Sequence, residues 1–303
     1  MTIKIRELKW EARRYVRMAT PKAWWMTLVY LLVTGGLSFV VGLFVADPIV
    51  QLMQLYQGGV PLDRAFLLAL STVGGVGIFL NLLILLTGIV FDFGYSQWCL
   101  GTTRGGIGEM SDLLGGFALT GRVLLLRVST MLYCFMWYAV IFMPASVVVM
   151  VGFALPVVGP LIALAAFLGA FVLFFRRVLG YSMASFCLMD EPDKGVTHAL
   201  RTSQMLMRGQ VGRYVLFVLS FFGWELLAAA IAVVAELLVS VVAALLVPAL
   251  GLGVQWLPII GKGAAVVGTL ASWPLYLWLT PYMTMSQCKF YDKLKNPEDA
   301  VSF

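Results

Sequence analysis

Charge is what this sequence has least of: acidic and basic side chains make up 12% of its 303 residues, about half the share of a soluble domain. A continuous water-facing surface cannot be built from so few charges. Histidine is nearly absent too, with His198 alone on a polar stretch. That leaves no HExxH, no Cys/His zinc spacing and no triad pattern. The four cysteines, Cys99, Cys134, Cys187 and Cys288, are far apart and form no CxxC. They are expected to be reduced, since disulfides belong to oxidising compartments. The Gly-Val-Gly at 75–77 lacks a Walker lysine and a strand–helix setting, which argues against nucleotide binding. No metal and no cofactor are expected. A cleavable leader is not expected either, because the first apolar run is full length and no A-x-A site follows it.

Apolar residues, by contrast, make up 61% of the chain, and the mean hydropathy is +0.94. Stretches of about 20 such residues cross the hydrocarbon as helices. They recur at about Ala23–Ala46, Ala65–Phe91, Val128–Ala154, Val157–Phe175, Tyr214–Val247 and Gly263–Thr280. The predicted fold is therefore an all-α polytopic membrane protein with six transmembrane helices. Turn formers around Pro48, around Pro156 and in the segment carrying Trp256 are expected to join the members of each pair. Basic residues choose the orientation. The N-terminus, segments 92–127 and 176–213 and the C-terminal tail hold 19 of the 21 Lys and Arg residues, leaving only Arg64 and Lys262 elsewhere. By the positive-inside rule both termini are predicted in the cytosol. The net charge of +6 is read the same way: its partner is anionic lipid at the cytosolic face, not nucleic acid.

A phrase recurs after each even-numbered run: FGYSQWCL at 93–100, LGYSMASFCLMD at 179–190 and TPYMTMSQCKFYD at 280–292. In each, Gly or Pro precedes Tyr, and Cys follows four or six residues later. Each odd-numbered run is preceded by a stretch with a helical apolar face. Ile5, Leu8, Ala12 and Tyr15 form the first face. Leu113, Leu114 and Phe117, capped by Ser111, form the second. Val196, Ala199, Leu200, Ser203 and Met207 form the third. The predicted unit is a cytosolic amphipathic interfacial helix followed by a membrane hairpin, three times over. Residues 1–303 then form one membrane domain, with repeats at about 1–103, 104–190 and 191–294 and a short tail at 295–303.

The GY at 94–95 followed by RGG and DLLGGF up to 117, the stretch LGYSMASFCLMDEPDKG with its LMRG at 206–209, LSFFGW at 219–224 and WLTPYMTMSQCKFY at 278–291 resemble an uncharacterised family. It is the bacterial integral-membrane family catalogued as domain of unknown function 975. The resemblance covers about residues 1–294. It implies a multi-pass protein of the bacterial cytoplasmic membrane and supplies no activity or catalytic residue. Two departures are a longer interval between LSFFGW and WLTPY and the acidic Glu225 directly after the GW.

Polar groups inside a membrane are costly and so are the first functional candidates. Glu225 and Asn81 fall at similar mid-membrane depth and are candidates for one polar pocket, the alternative for Glu225 being structural glue. Asp92, Arg122, Arg127, Arg176 and Arg177 crowd the cytosolic rim, either lining a vestibule or snorkelling to the interface. Lys9, Arg13, Arg14 and Arg17 surround a helix expected to lie on anionic lipid. Asp190, Glu191 and Asp193 read as a solvated turn. The expected function is non-enzymatic handling or transport of a lipid or other amphipathic substrate. The alternative is a scaffold or accessory subunit binding a protein partner or a second copy of itself. An intramembrane enzyme comes third.

Overall fold

A computed structural model describes residues 5–44, 56, 58–153, 158–249 and 257–296. The expected turns at Pro48, Pro156 and Trp256 lie outside the described residues. The α-helices with described bounds are, in order, α1 (Ile5–Met18), α2 (Ala23–Phe44), α3 (Leu62–Thr103), α4 (Asp112–Ala118), α5 (Thr120–Phe153), α6 (Gly159–Val178), α7 (Ala184–Asp190), α8 (Val196–Met207), α9 (Val211–Ala249) and α10 (Leu257–Lys295). Short 3₁₀ turns at Leu179–Tyr181 and Pro192–Lys194 flank α7, and no strand occurs among the described residues.

The six apolar runs fall on α2, α3, α5, α6, α9 and α10. Among the described residues, four segments are long and apolar enough to cross a membrane, against the six expected: Phe79–Thr103, Thr120–Gly152, Gly159–Asp190 and Val211–Val247. Ala23–Ser38 makes a shorter apolar helix. Their large side chains point outward: Phe135 is 69% exposed, Met143 69% and Leu245 71%. So much continuous apolar surface is untenable in water and suits lipid, where a helix satisfies its own backbone. These are the helices of a membrane protein.

Packing is concentrated at one end of the molecule. Buried there are Leu8 and Ala12 of α1, Met26 of α2, Phe93, Tyr95, Trp98, Cys99 and Leu100 of α3, and Val123 and Leu126 of α5. Met183, Phe186, Cys187, Leu188, Leu200 and Met207 around α7 and α8, Phe217 and Phe221 of α9, and Tyr282, Met285, Cys288, Phe290 and Tyr291 of α10 complete it. Away from this packed end, α5 runs along α6 and α9 along α10. Among the described residues these two hairpins do not pack extensively on each other.

Two glycines allow one close approach. A Cβ at Gly94 would stand 2.2 Å from the Leu113 carbonyl oxygen, and one at Gly116 would stand 2.4 Å from that of Val90. Helix α4 therefore lies directly on the backbone of α3. At this contact Leu113 is buried, whereas Leu114 and Phe117 are 57% and 47% exposed, with Phe117 meeting the Phe91 ring of α3 edge-on at 5.4 Å. Ser111 precedes the helix without capping it; its hydroxyl donates instead to Glu109 Oε2 at 3.0 Å. On α8, Val196, Ala199, Leu200, Ser203 and Met207 are all buried. Ser203 Oγ donates to Gly180 O at 2.8 Å and accepts from Met183 N at 3.2 Å.

Candidate functional site

The three tyrosines of the recurring phrase sit at the packed end, each against the long helix that precedes its own. Tyr95 stacks on Tyr30 of α2 at 4.7 Å and shares a 2.8 Å hydrogen bond with Thr27. Tyr181 stacks on Tyr133 of α5 at 5.8 Å and accepts a bond from Trp137 Nε1 at 3.2 Å. Tyr282 meets Phe221 of α9 edge-on at 5.2 Å and accepts from Arg13 Nε at 3.2 Å. A tyrosine buries its ring and leaves a polar tip that needs a partner, and all three find one. The cysteines that follow, Cys99, Cys187 and Cys288, are buried among these rings.

A few residues beyond each cysteine the chain supplies an ion-pair node. Arg104, just past α3, donates to both oxygens of Asp190 at the end of α7 (2.6 and 3.1 Å). It also donates twice to Asp292 Oδ1 on α10 (3.0 and 2.7 Å). Lys295 Nζ and Tyr291 Oη reach Asp190 Oδ2 at 2.6 and 2.8 Å. Two cations thus meet two carboxylates, and the Asp190 side chain is only 8% exposed. The Asp190 hydrogen bonds hold the Arg104 guanidinium even further above its ordinary range, and burial, with Cys187 and Asp190 adding to it, pushes the Tyr291 phenol up. The node ties α3, α7 and α10 together with fork-like bonds suited to Arg.

Sequence reasoning missed this node by grouping Asp190 with its neighbours. Asp193 is indeed 95% exposed, and Glu191 pairs with Lys194 at 3.0 Å, but Asp190 turns inward. A signal was present: Arg104, Asp190 and Asp292 follow the three cysteines at offsets of five, three and four residues.

The candidates from sequence separate into distinct places. Asn81 Nδ2 donates to Gly77 O of its own helix at 2.9 Å, whereas Glu225 accepts from Tyr276 of α10 at 3.2 Å. Their hydrogen bonds run to different partners. Asp92 and Arg127 pair at 2.7 Å over a small cleft that includes Ser96 and Ser185. Arg122 reaches Pro192 O and Asp193 at 3.0 and 3.4 Å. Arg177 lies over the Trp137 ring, 4.5 Å from its centroid, and Arg176 is exposed beside it.

On α1 the four basic residues divide. Lys9 turns toward α9, donating to Ser220 O at 3.0 Å with its ammonium 4.0 Å from the Phe221 ring centroid. Burial, and Arg13 beside it, lower its pKa. Arg13 bonds Tyr282, while Arg14 and Arg17 face outward with Trp10, which is 66% exposed. Lys293 to Glu11 at 2.8 Å adds a further tie between α10 and α1.

Among the described residues no group of three His, Cys, Asp or Glu side chains stands close enough to share a metal ion. No curated protein and no solved structure matches the chain. A family model described as protein of unknown function (DUF975) matches residues 1–298, so the chain belongs to that family.

Proposed function

We propose that this DUF975 protein is a six-span protein of the bacterial cytoplasmic membrane, with both termini cytosolic, that handles or transports a lipid or other amphipathic substrate without catalysing a reaction. The observation that carries the reading is the contrast between the two ends of the fold. One end is bound together by aromatic packing and the Arg104 node. From it extend the hairpins α5–α6 and α9–α10, which do not pack extensively on each other among the described residues. Helices joined at one end and separate at the other leave lipid-accessible faces between them, a suitable place for an amphipathic molecule. Glu225, partly exposed on α9, is the polar group that would meet it.

Three hairpin repeats are supported by the equivalent seating of Tyr95, Tyr181 and Tyr282 on aromatic residues of α2, α5 and α9. The orientation rests on the 19 basic residues in the N-terminus, segments 92–127 and 176–213 and the C-terminal tail, against two elsewhere. The anionic inner leaflet would meet the outward face of α1, where Arg14, Arg17 and Trp10 are exposed.

The test is native mass spectrometry of the full chain extracted gently from its own membrane, compared with Glu225→Leu. A discrete co-extracted ligand that the variant loses supports substrate handling. A protein partner at fixed stoichiometry, with no selective ligand, supports the scaffold reading instead.

A further inference from the structure

Three arginines near the packed end have carboxylate partners: Arg104 with Asp190 and Asp292, Arg122 with Asp193, and Arg127 with Asp92. Two others, Arg176 and Arg177, close α6 and enter no ion pair among the described residues. One of them is nonetheless held in place. The Arg177 guanidinium lies on the Trp137 ring at 4.5 Å, and the Trp137 indole is itself fixed by donating to Tyr181 Oη at 3.2 Å. Tyr181 is only 7% exposed and stacks on Tyr133 at 5.8 Å. A guanidinium held over an indole by its charge still has N–H groups to offer, and the edge of the fork matches two oxygens of a phosphate. Tyr181, accepting from Trp137, retains its own hydrogen to donate.

Depth agrees with this chemistry. From Gly159 to Arg177 is 18 residues, about 27 Å of helix, close to the roughly 30 Å hydrocarbon thickness. Arg177 and Trp137 therefore stand at the headgroup boundary when the far end of α6 reaches the other one. From Trp137 the aromatic ladder Tyr138, Phe142 and Phe174 continues into the hairpin, an apolar surface on which acyl chains can lie.

We propose that Arg176 and Arg177, backed by Trp137 and Tyr181, form a binding site for the phosphate of an anionic phospholipid in the inner leaflet. The site deepens the functional reading above, resting on its membrane orientation but not on Glu225.

The test titrates the purified full chain in mild detergent with phosphatidylglycerol, phosphatidylcholine or inorganic phosphate, and reads bound lipid by native mass spectrometry. One phosphatidylglycerol should be retained at concentrations where phosphatidylcholine is not. The double variant Arg176→Gln, Arg177→Gln should weaken retention by about tenfold, a loss of about 1.4 kcal/mol in binding. Arg177→Lys, which keeps the charge, and Trp137→Phe, which keeps a ring, should each lose less. Equal retention of the two lipids, or unchanged retention in the double glutamine variant, overturns the site. Inorganic phosphate displacing the lipid at equal concentration assigns it to a soluble phosphate compound and overturns the lipid assignment. A co-extracted ligand that Glu225→Leu loses and the double glutamine variant keeps belongs to the transport reading alone, so failure here is distinguishable from failure of that reading.

Discussion

Replacing Asp190 with Asn removes the charge at the centre of the node while keeping the side chain's shape. Four donors converge on that carboxylate: two from Arg104, one from Lys295 and one from Tyr291. A hydrogen bond to a charged group contributes about 1.5–3 kcal/mol. Arg104 and Lys295 are 39% and 40% exposed, so water recovers much of what they lose, and Arg104 keeps Asp292. The net cost is therefore about 2–4 kcal/mol, near the lower end for breaking a buried pair. By the scaling for chains of this size, the apparent melting temperature should fall by about 3–6 °C. The assay is thermal unfolding in detergent, followed by exposure of the buried cysteines to a thiol reagent. Arg104→Gln should cost a similar amount, and the double variant should fall short of the sum by about 1–2 kcal/mol, since the two share one interaction. A melting temperature for Asp190→Asn within about 1 °C of the parent, or strictly additive single effects, would refute a role for the node in joining the three helices.

Further outcomes follow from other contacts. Gly94→Ala should destabilise the protein by about 1–3 kcal/mol, because the new methyl meets a backbone carbonyl that cannot rotate away; Gly101→Ala on the same helix, with nothing within 4 Å, provides the control. Thermal unfolding in detergent separates the two. Lys9→Ala removes the bond to Ser220 and the ammonium over Phe221, and should make α1 several-fold more sensitive to limited proteolysis while α8 is unaffected. Equal sensitivity of parent and variant would show that Lys9 does not hold α1 in place.

The helical architecture was legible because its causes are local. Apolar runs of membrane length become helices whatever packs beside them, and the period of Val196, Ala199, Leu200, Ser203 and Met207 already marks a buried face. What escaped were features that depend on partners far along the chain. Asp190 reads as part of a solvated acidic turn until Arg104, 86 residues away, is placed beside it. Lys9 reads as a lipid-facing cation, since sequence cannot show that Ser220 and Phe221 lie within its reach. The close contact of α4 with α3 was not legible, because a glycine leaves no mark in an apolar count although Gly94 and Gly116 create the approach. For Glu225, the partner Tyr276, 51 residues on, was not legible.

The central claim is a set of membrane hairpins carried on one cytosolic packed end, and cysteine labelling in intact bacteria tests it most directly. The native cysteines provide low background, as Cys99, Cys187 and Cys288 are buried and Cys134 is partly so. Single variants Gly58→Cys, Glu109→Cys, Val158→Cys, Thr197→Cys and Asn296→Cys place a thiol at exposed positions. With a membrane-impermeant maleimide, the account predicts labelling at 58 and 158 in intact cells, and labelling at 109, 197 and 296 only after the membrane is opened. Labelling of 109, 197 or 296 in intact cells, or protection of 58 and 158, would contradict it.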